Sequence, residues 1–109
     1  MPYLGAFEQL ILFSVLKLKR GAYGVSIREN IEERTGRTVS IGAIYTTLGR
    51  LEERGLVRSR TEKPQGRTGR PRKYYALTPE GARELRESFA SIQSMAGGLI
   101  AELDLLAGS

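Results

Sequence analysis

Apolar residues run through this chain with several distinct rhythms. From residue 4 to 18 they stand at positions 4, 6, 7, 10, 11, 12, 13, 15, 16 and 18. That is more than one face of a 3.6-residue period, so it predicts a helix buried on two sides. One side faces the domain core. The other is expected to face another chain, because 109 residues leave little material to cover it. Lys17, Lys19, Arg20 and Gly21 supply C-terminal signals. Gly21–Gly24 reads as a turn. Residues 25–35 then predict a short helix with Ile27 and Ile31 inward and Gly36 as a left-handed cap. Thr38-Val39 could add a minimal strand beside a later hairpin.

A third helix starts after Ser40, a good N-cap. Ile41, Ile44, Leu48 and Leu51 form its inward stripe, and Gly55 caps its end. Its outward face carries Gly42, Ala43, Tyr45, Thr46, Gly49 and Arg50, with Thr47 at the edge. No acid occurs on this helix before Glu52. A merely solvated helix would more often carry Glu and Lys there. Small and uncharged residues suit close approach to a phosphate backbone.

The rhythm then changes to that of strands, over Leu56–Thr61 and Lys73–Leu77. Tyr75 and Leu77 alternate with Tyr74 and Ala76, so each face has one aromatic. The connection from Lys63 to Pro71 is rich in Pro and Gly and reads as a long hairpin tip. Thr78-Pro79 restarts a helix, with Thr as N-cap and Pro in the first turn. Ala82, Leu85, Phe89, Ile92, Ala96, Leu99, Leu103 and Leu106 follow at alternating spacings of three and four. This heptad seam argues for helix pairing. Gly97-Gly98 interrupts it, each Gly costing about 1 kcal/mol relative to Ala. Because the register continues, a kink is expected there rather than a stop. The predicted fold is mainly α with a small β-hairpin: a winged helix-turn-helix over 1–78 and a long C-terminal dimerisation helix over 79–109.

Charge sharpens this picture. The chain has 17 Lys+Arg, 12 Asp+Glu and a net charge of +5. Residues 58–73 hold Arg58, Arg60, Lys63, Arg67, Arg70, Arg72 and Lys73 against Glu62, a balance of +6. The rest of the chain is then 5 − 6 = −1. A positive charge focused on one hairpin is the footprint expected for binding a polyanion.

Other chemistry is largely excluded. There is no Cys and no His. Disulfides, His/Cys metal sites and the commonest general base are therefore missing. No clustered acid pair suggests an active site, so neither enzyme activity nor a cofactor is expected. The apolar run Leu10–Phe13 is too short to span a bilayer and lacks the flanks of a signal peptide. A cytoplasmic protein is expected.

The candidate DNA-binding residues are Ser40, Gly42, Tyr45, Thr46, Thr47 and Arg50 on the third helix, with Arg67, Arg70, Arg72 and Lys73 on the wing. The bland alternative is a solvated helix face and a solvated charge run. With no Asn or Gln on the helix face, bidentate adenine reading is absent. Specificity would then draw on the threonines, the wing and DNA shape. The candidate dimer interface is Leu4, Phe7, Ile11, Leu85, Phe89, Ile92, Leu99 and Leu103. Here the alternative is an intramolecular core.

Two blocks, GAIYTTLGRLEERGLV and GRPRKYYALTPEG, together resemble the PadR family of bacterial transcriptional regulators. The shared features are the Ile44-Tyr45 pair, the Leu-x-x-Leu-x-x-x-Gly-Leu-Val exit, the Gly-Arg-Pro-Arg-Lys-Tyr-Tyr return strand and the Thr-Pro-Glu-Gly helix start. The likeness spans about residues 5–90, and one helix after the wing is similar to the smaller subfamily. The resemblance implies a homodimer joined through its first and last helices, repressing transcription from an inverted-repeat operator on double-stranded DNA. A small-molecule effector of unspecified identity would act by altering the helix packing. The competing reading is a protein-interaction module whose basic wing binds an acidic partner.

Overall fold

Ile44, Leu48 and Leu51 are fully buried at helical spacing, and the fold is assembled around them. The computed structural model describes residues 3–63 and 70–108. Within them lie helices α1 (Ala6–Leu18), α2 (Gly24–Thr35) and α3 (Ile41–Glu53), strands β1 (Val57–Glu62) and β2 (Arg72–Leu77), and helices α4 (Pro79–Ala96) and α5 (Ile100–Leu106). A 3-10 turn over Lys19–Gly21 follows α1. The core joins Ile11, Leu12 and Val15 of α1 to Ile27 and Ile31 of α2. Leu56, Val57, Tyr75 and Leu85 close it from the hairpin side. No helix among the described residues is long and apolar enough to cross a membrane.

The helix starts follow local chemistry. The Ser40 hydroxyl accepts the Ala43 N–H at 3.0 Å, and Thr78 Oγ1 accepts the Gly81 N–H at 2.9 Å. Each satisfies one N–H left over at a helix start. Glu8 reaches back to the Gly5 N–H, and Ser26 to the Tyr23 N–H. Gly36 and Gly55 adopt φ of 73° and 77°, where a side chain would be strained.

The winged-helix expectation holds, with three differences. The first concerns the expected strand at Thr38-Val39. The Val39 N–H is taken by the Glu32 carboxylate at 3.0 Å, so that segment is not a strand. The third sheet position is filled by Tyr23, which bridges Tyr74 antiparallel. β1 and β2 themselves pair from Val57↔Leu77 to Glu62↔Arg72.

The second difference is at Gly97-Gly98. The expected kink is a break. Gly97 has ψ 117° and Gly98 has φ 79°, both outside the helical region, and the chain restarts as α5. Two residues without Cβ make this conformation accessible, and the apolar register alone does not hold the helix through them.

The third is the expected dimer surface. Leu4, Ile11 and Leu85 are buried within the protomer and have no surface to offer. Ile11 is reassigned by the way α1 rotates: its uncovered side carries Leu16 instead, and Phe7 is only partly buried against the core. Phe89, Ile92, Leu99 and Leu103 are exposed, as a pairing surface requires. The first half of α4 belongs to the body, where the buried Ser88 hydroxyl accepts the Leu4 N–H at 3.0 Å. Its second half projects outward, and the molecule measures 54 × 33 × 21 Å.

Candidate nucleic-acid interface

The outward face of α3 lies where the residue pattern put it. Gly42, Ala43, Tyr45, Thr46, Gly49 and Arg50 are all exposed. Thr47 is the exception. It is only 9% exposed and sits on the buried side of the helix, one turn before Leu51. Its rotation removes it from the exposed row that Thr46 and Arg50 share. Ser40 is exposed but its oxygen is already engaged in capping. Capping leaves the other N–H groups of the first turn free to meet an anion, which helix N-termini favour.

Tyr45 is 48% exposed and rests on the start of α2. A Cβ added to Gly24 would lie 2.3 Å from the Tyr45 ring carbon Cζ. The phenol therefore lies directly against the backbone of α2.

The wing carries its cations in different states. Lys73 Nζ lies 3.3 Å from a Glu52 carboxylate oxygen, and the Ser59 hydroxyl donates to the other at 2.6 Å. These contacts hold the Glu52 carboxyl below its ordinary pKa, Ser59 contributing most among the lowering causes, then Lys73, against an opposing effect of burial. Lys73 thus ties the wing to the end of α3, and its charge is largely compensated. Arg60 pairs with Glu62 and also donates to the Arg20 carbonyl at 3.0 Å. Its guanidinium lies 4.9 Å from the Tyr74 ring centre.

Arg72 differs. Its guanidinium lies 4.2 Å from the centre of the Tyr23 ring. Its pKa is raised, chiefly by the neighbouring Tyr74 side chain. Among the described residues Arg58, Arg70 and Arg72 have no carboxylate partner within 4.0 Å. Arg70 is exposed beside the hairpin. Arg67 and the hairpin tip over 64–69 lie outside the described residues. Tyr75 is a core residue, and burial raises its hydroxyl pKa.

Apart from the buried Thr47, and with Arg67 outside the described residues, the expected residues lie on α3 and the wing, which are joined through Glu52, Ser59 and Lys73. Sequence reading missed Tyr23 and Gly24, which lie under Arg72 and Tyr45. Their only signal was the aromatic–glycine pair inside a segment read as a turn.

Comparison with known proteins places this geometry. Residues 12–87 match the family described as Transcriptional regulator PadR-like family. A PadR family transcriptional regulator from Eggerthella lenta DSM 2243 superposes with a TM-score of 0.72 at 29% identity, covering 96% of this chain and 85% of that one. A PadR family transcription regulator from hypervirulent Clostridium difficile R20291 gives 0.70 at 28% identity, over 91% and 99% of the two chains. F93 from STIV, a winged-helix DNA-binding protein, gives 0.71 at 21% identity over 89% and 98%, a likeness of fold alone. Among curated proteins no sequence gives a significant match.

Proposed function

The chain belongs to the PadR-like family of transcriptional regulators, and we propose that it acts as a homodimeric repressor, in the cytoplasm, at an inverted-repeat operator. The observation that carries this reading is the pairing of two surfaces on one small protein. One is an exposed recognition-helix face beside Arg70 and Arg72 of the wing, which no carboxylate meets among the described residues. The other is an unpartnered apolar run along the C-terminal helices, including Ile92, Met95, Ile100, Leu103 and Leu106. Soluble monomers rarely leave so much contiguous apolar surface in water. A two-fold dimer would cover it and present two reading heads.

In this scheme the N-terminal turn of α3 enters the major groove. Thr46 and Arg50 face the bases, and Tyr45 faces the backbone. Arg70 and Arg72 grip flanking phosphates, with Arg67 assigned the same role. Phosphate contacts set register, and base contacts set sequence. Half-sites one helical turn apart would require heads roughly 34–36 Å apart. The reading is non-enzymatic.

An apolar groove of about 480 Å³ runs between α1, α2 and α4, with Ala6, Leu10, Phe13, Ile31, Phe89 and Ile92 in its walls. Phe13 and Phe89 meet there edge to face, with ring centres 5.2 Å apart. A small molecule that shifted this packing would change the head spacing and so the affinity.

The test is a gel shift with DNA from upstream of the protein's own operon, combined with the mass of the complex. The expected result is a discrete complex of two protomers per site that survives excess unrelated DNA. Equal competition by any duplex, or one protomer per site, overturns the proposal.

A further inference from the structure

The segment between α1 and α2 reads in the sequence as a plain turn. We infer that Ala22, Tyr23 and Gly24 form a bracket that fixes the wing and the recognition helix relative to each other, Tyr23 positioning Arg72 and Gly24 positioning Tyr45 for DNA. The inference rests on the DNA-binding reading above and assigns positioning roles to residues outside both reading elements.

A two-stranded hairpin is marginal by itself and needs support. Here the Ala22 carbonyl accepts the Tyr75 N–H at 2.8 Å, and Tyr23 bridges Tyr74. The bracket is therefore a fragment of third strand attached to the wing. The Tyr23 and Tyr74 rings meet edge to face, centres 5.6 Å apart at 71°. Over the Tyr23 ring sits the Arg72 guanidinium, at 4.2 Å.

An aromatic face orders a guanidinium without cancelling its charge. A carboxylate orders a cation and neutralises it, as Glu52 does for Lys73. Arg72 is thus held in place at full charge, the condition that suits a group waiting for a phosphate. Ordering it in advance removes part of the side-chain entropy lost on binding.

Gly24 does the corresponding work for α3. It is buried, and its φ is outside the positive range adopted by Gly36, Gly55, Gly98 and Gly108. Its backbone conformation therefore does not call for glycine. Space does: a Cβ would stand 2.3 Å from Tyr45 Cζ and 2.4 Å from its hydroxyl oxygen. The clashing atoms are the far end of one half-exposed side chain. Gly24→Ala should therefore displace the Tyr45 ring while sparing the fold.

The experiment measures DNA affinity by fluorescence anisotropy on the operator duplex, in two double-mutant cycles. Gly24→Ala is expected to keep the wild-type melting temperature within a few degrees and to raise Kd about thirtyfold, the loss of one hydrogen bond to phosphate from each of the two protomers. In a Tyr45→Ala background it should change Kd little. Tyr23→Leu is expected to raise Kd about five- to thirtyfold, the worth of one exposed cation–π contact in each protomer. That loss should vanish in an Arg72→Ala background, and Tyr23→Phe should bind as wild type. If Tyr23→Leu fails to fold, Arg72→Lys is compared with the wild type instead, since a point charge keeps the phosphate contact but stacks less well; a loss of the same size is then expected, and an unchanged Kd overturns the Tyr23 half of the inference.

Wild-type affinity in Gly24→Ala overturns the Gly24 half of the inference. Losses that multiply independently in either cycle overturn the positioning role of that residue. A Tyr23→Phe variant as weak as Tyr23→Leu would show that the hydroxyl, not the ring, matters. Absence of any salt-dependent binding by the wild type would instead refute the DNA reading itself.

Discussion

Replacing Gly81 by Ala adds one methyl group at the point where α4 joins the body. A Cβ there would stand 2.0 Å from the Leu56 carbonyl oxygen. Real Cβ atoms essentially never come closer than 3.0 Å to such an atom, so one backbone must retreat by at least 3.0 − 2.0 = 1.0 Å. The same carbonyl accepts the Thr78 N–H at 3.1 Å, and Thr78 Oγ1 donates to the Gly55 carbonyl at 2.7 Å. A retreat of 1.0 Å breaks the first and lengthens the second.

Overpacking costs about 1–3 kcal/mol and each net hydrogen bond about 1 kcal/mol. Ala returns about 1 kcal/mol of helix propensity. The expected loss is about 1–3 kcal/mol, or roughly a 10 °C fall in melting temperature for a domain of this size. Urea denaturation at fixed protein concentration measures it, since the stability of a dimer depends on concentration. Unchanged or increased stability would refute the reasoning, because propensity would then have outweighed the contact.

Three further outcomes follow from the geometry. Ser40→Ala removes the α3 cap and should cost about 1 kcal/mol, read as a lower urea midpoint; an unchanged midpoint contradicts the capping role. Glu52→Gln should free Lys73, tightening binding to any duplex. It should also remove an acid-limb contribution to stability: the folded-state pKa of Glu52 is depressed, so the wild type holds this stability above the unfolded carboxyl pKa and loses it as pH falls through the folded value. The half-exposed pair limits that contribution to about 1 kcal/mol or less, and urea midpoints compared at neutral and acid pH report it. Ile92→Asp combined with Leu103→Asp should give monomers by analytical ultracentrifugation with the helical content retained; persistent dimers would move the interface elsewhere.

The fold was legible wherever local chemistry decides it. Ser40 and Thr78 cap the helices they were expected to cap, and the stripe of α3 is the centre of the core. The misreadings arose where a distant group competes. Glu32 takes the N–H of Val39, and Tyr23 fills the strand position instead. At Gly97-Gly98 the heptad register suggested continuity, but backbone freedom ended the helix. Periodicity named the apolar residues of α1 and α4 correctly without telling which face another chain could reach, so Ile11 and Leu85 lie inside the protomer. The outward face of α3 was legible because the apolar stripe fixes which way the helix turns. Tyr23 and Gly24 were not, since their roles depend on contacts with residues about 20 to 50 positions away.

In the proposed function, the wing and recognition helix bind a polyanion through positive charge focused on the hairpin, with Arg70 and Arg72 free of carboxylates among the described residues. The most direct test is operator affinity measured against salt concentration. Each neutralised phosphate contributes about −0.9 to the slope of log K against log salt. Two wings neutralising about three phosphates each predict a slope of about −5, reduced by roughly 2 when Arg72→Ala removes one contact from each protomer. A flat plot, or a slope untouched by that substitution, would contradict the account.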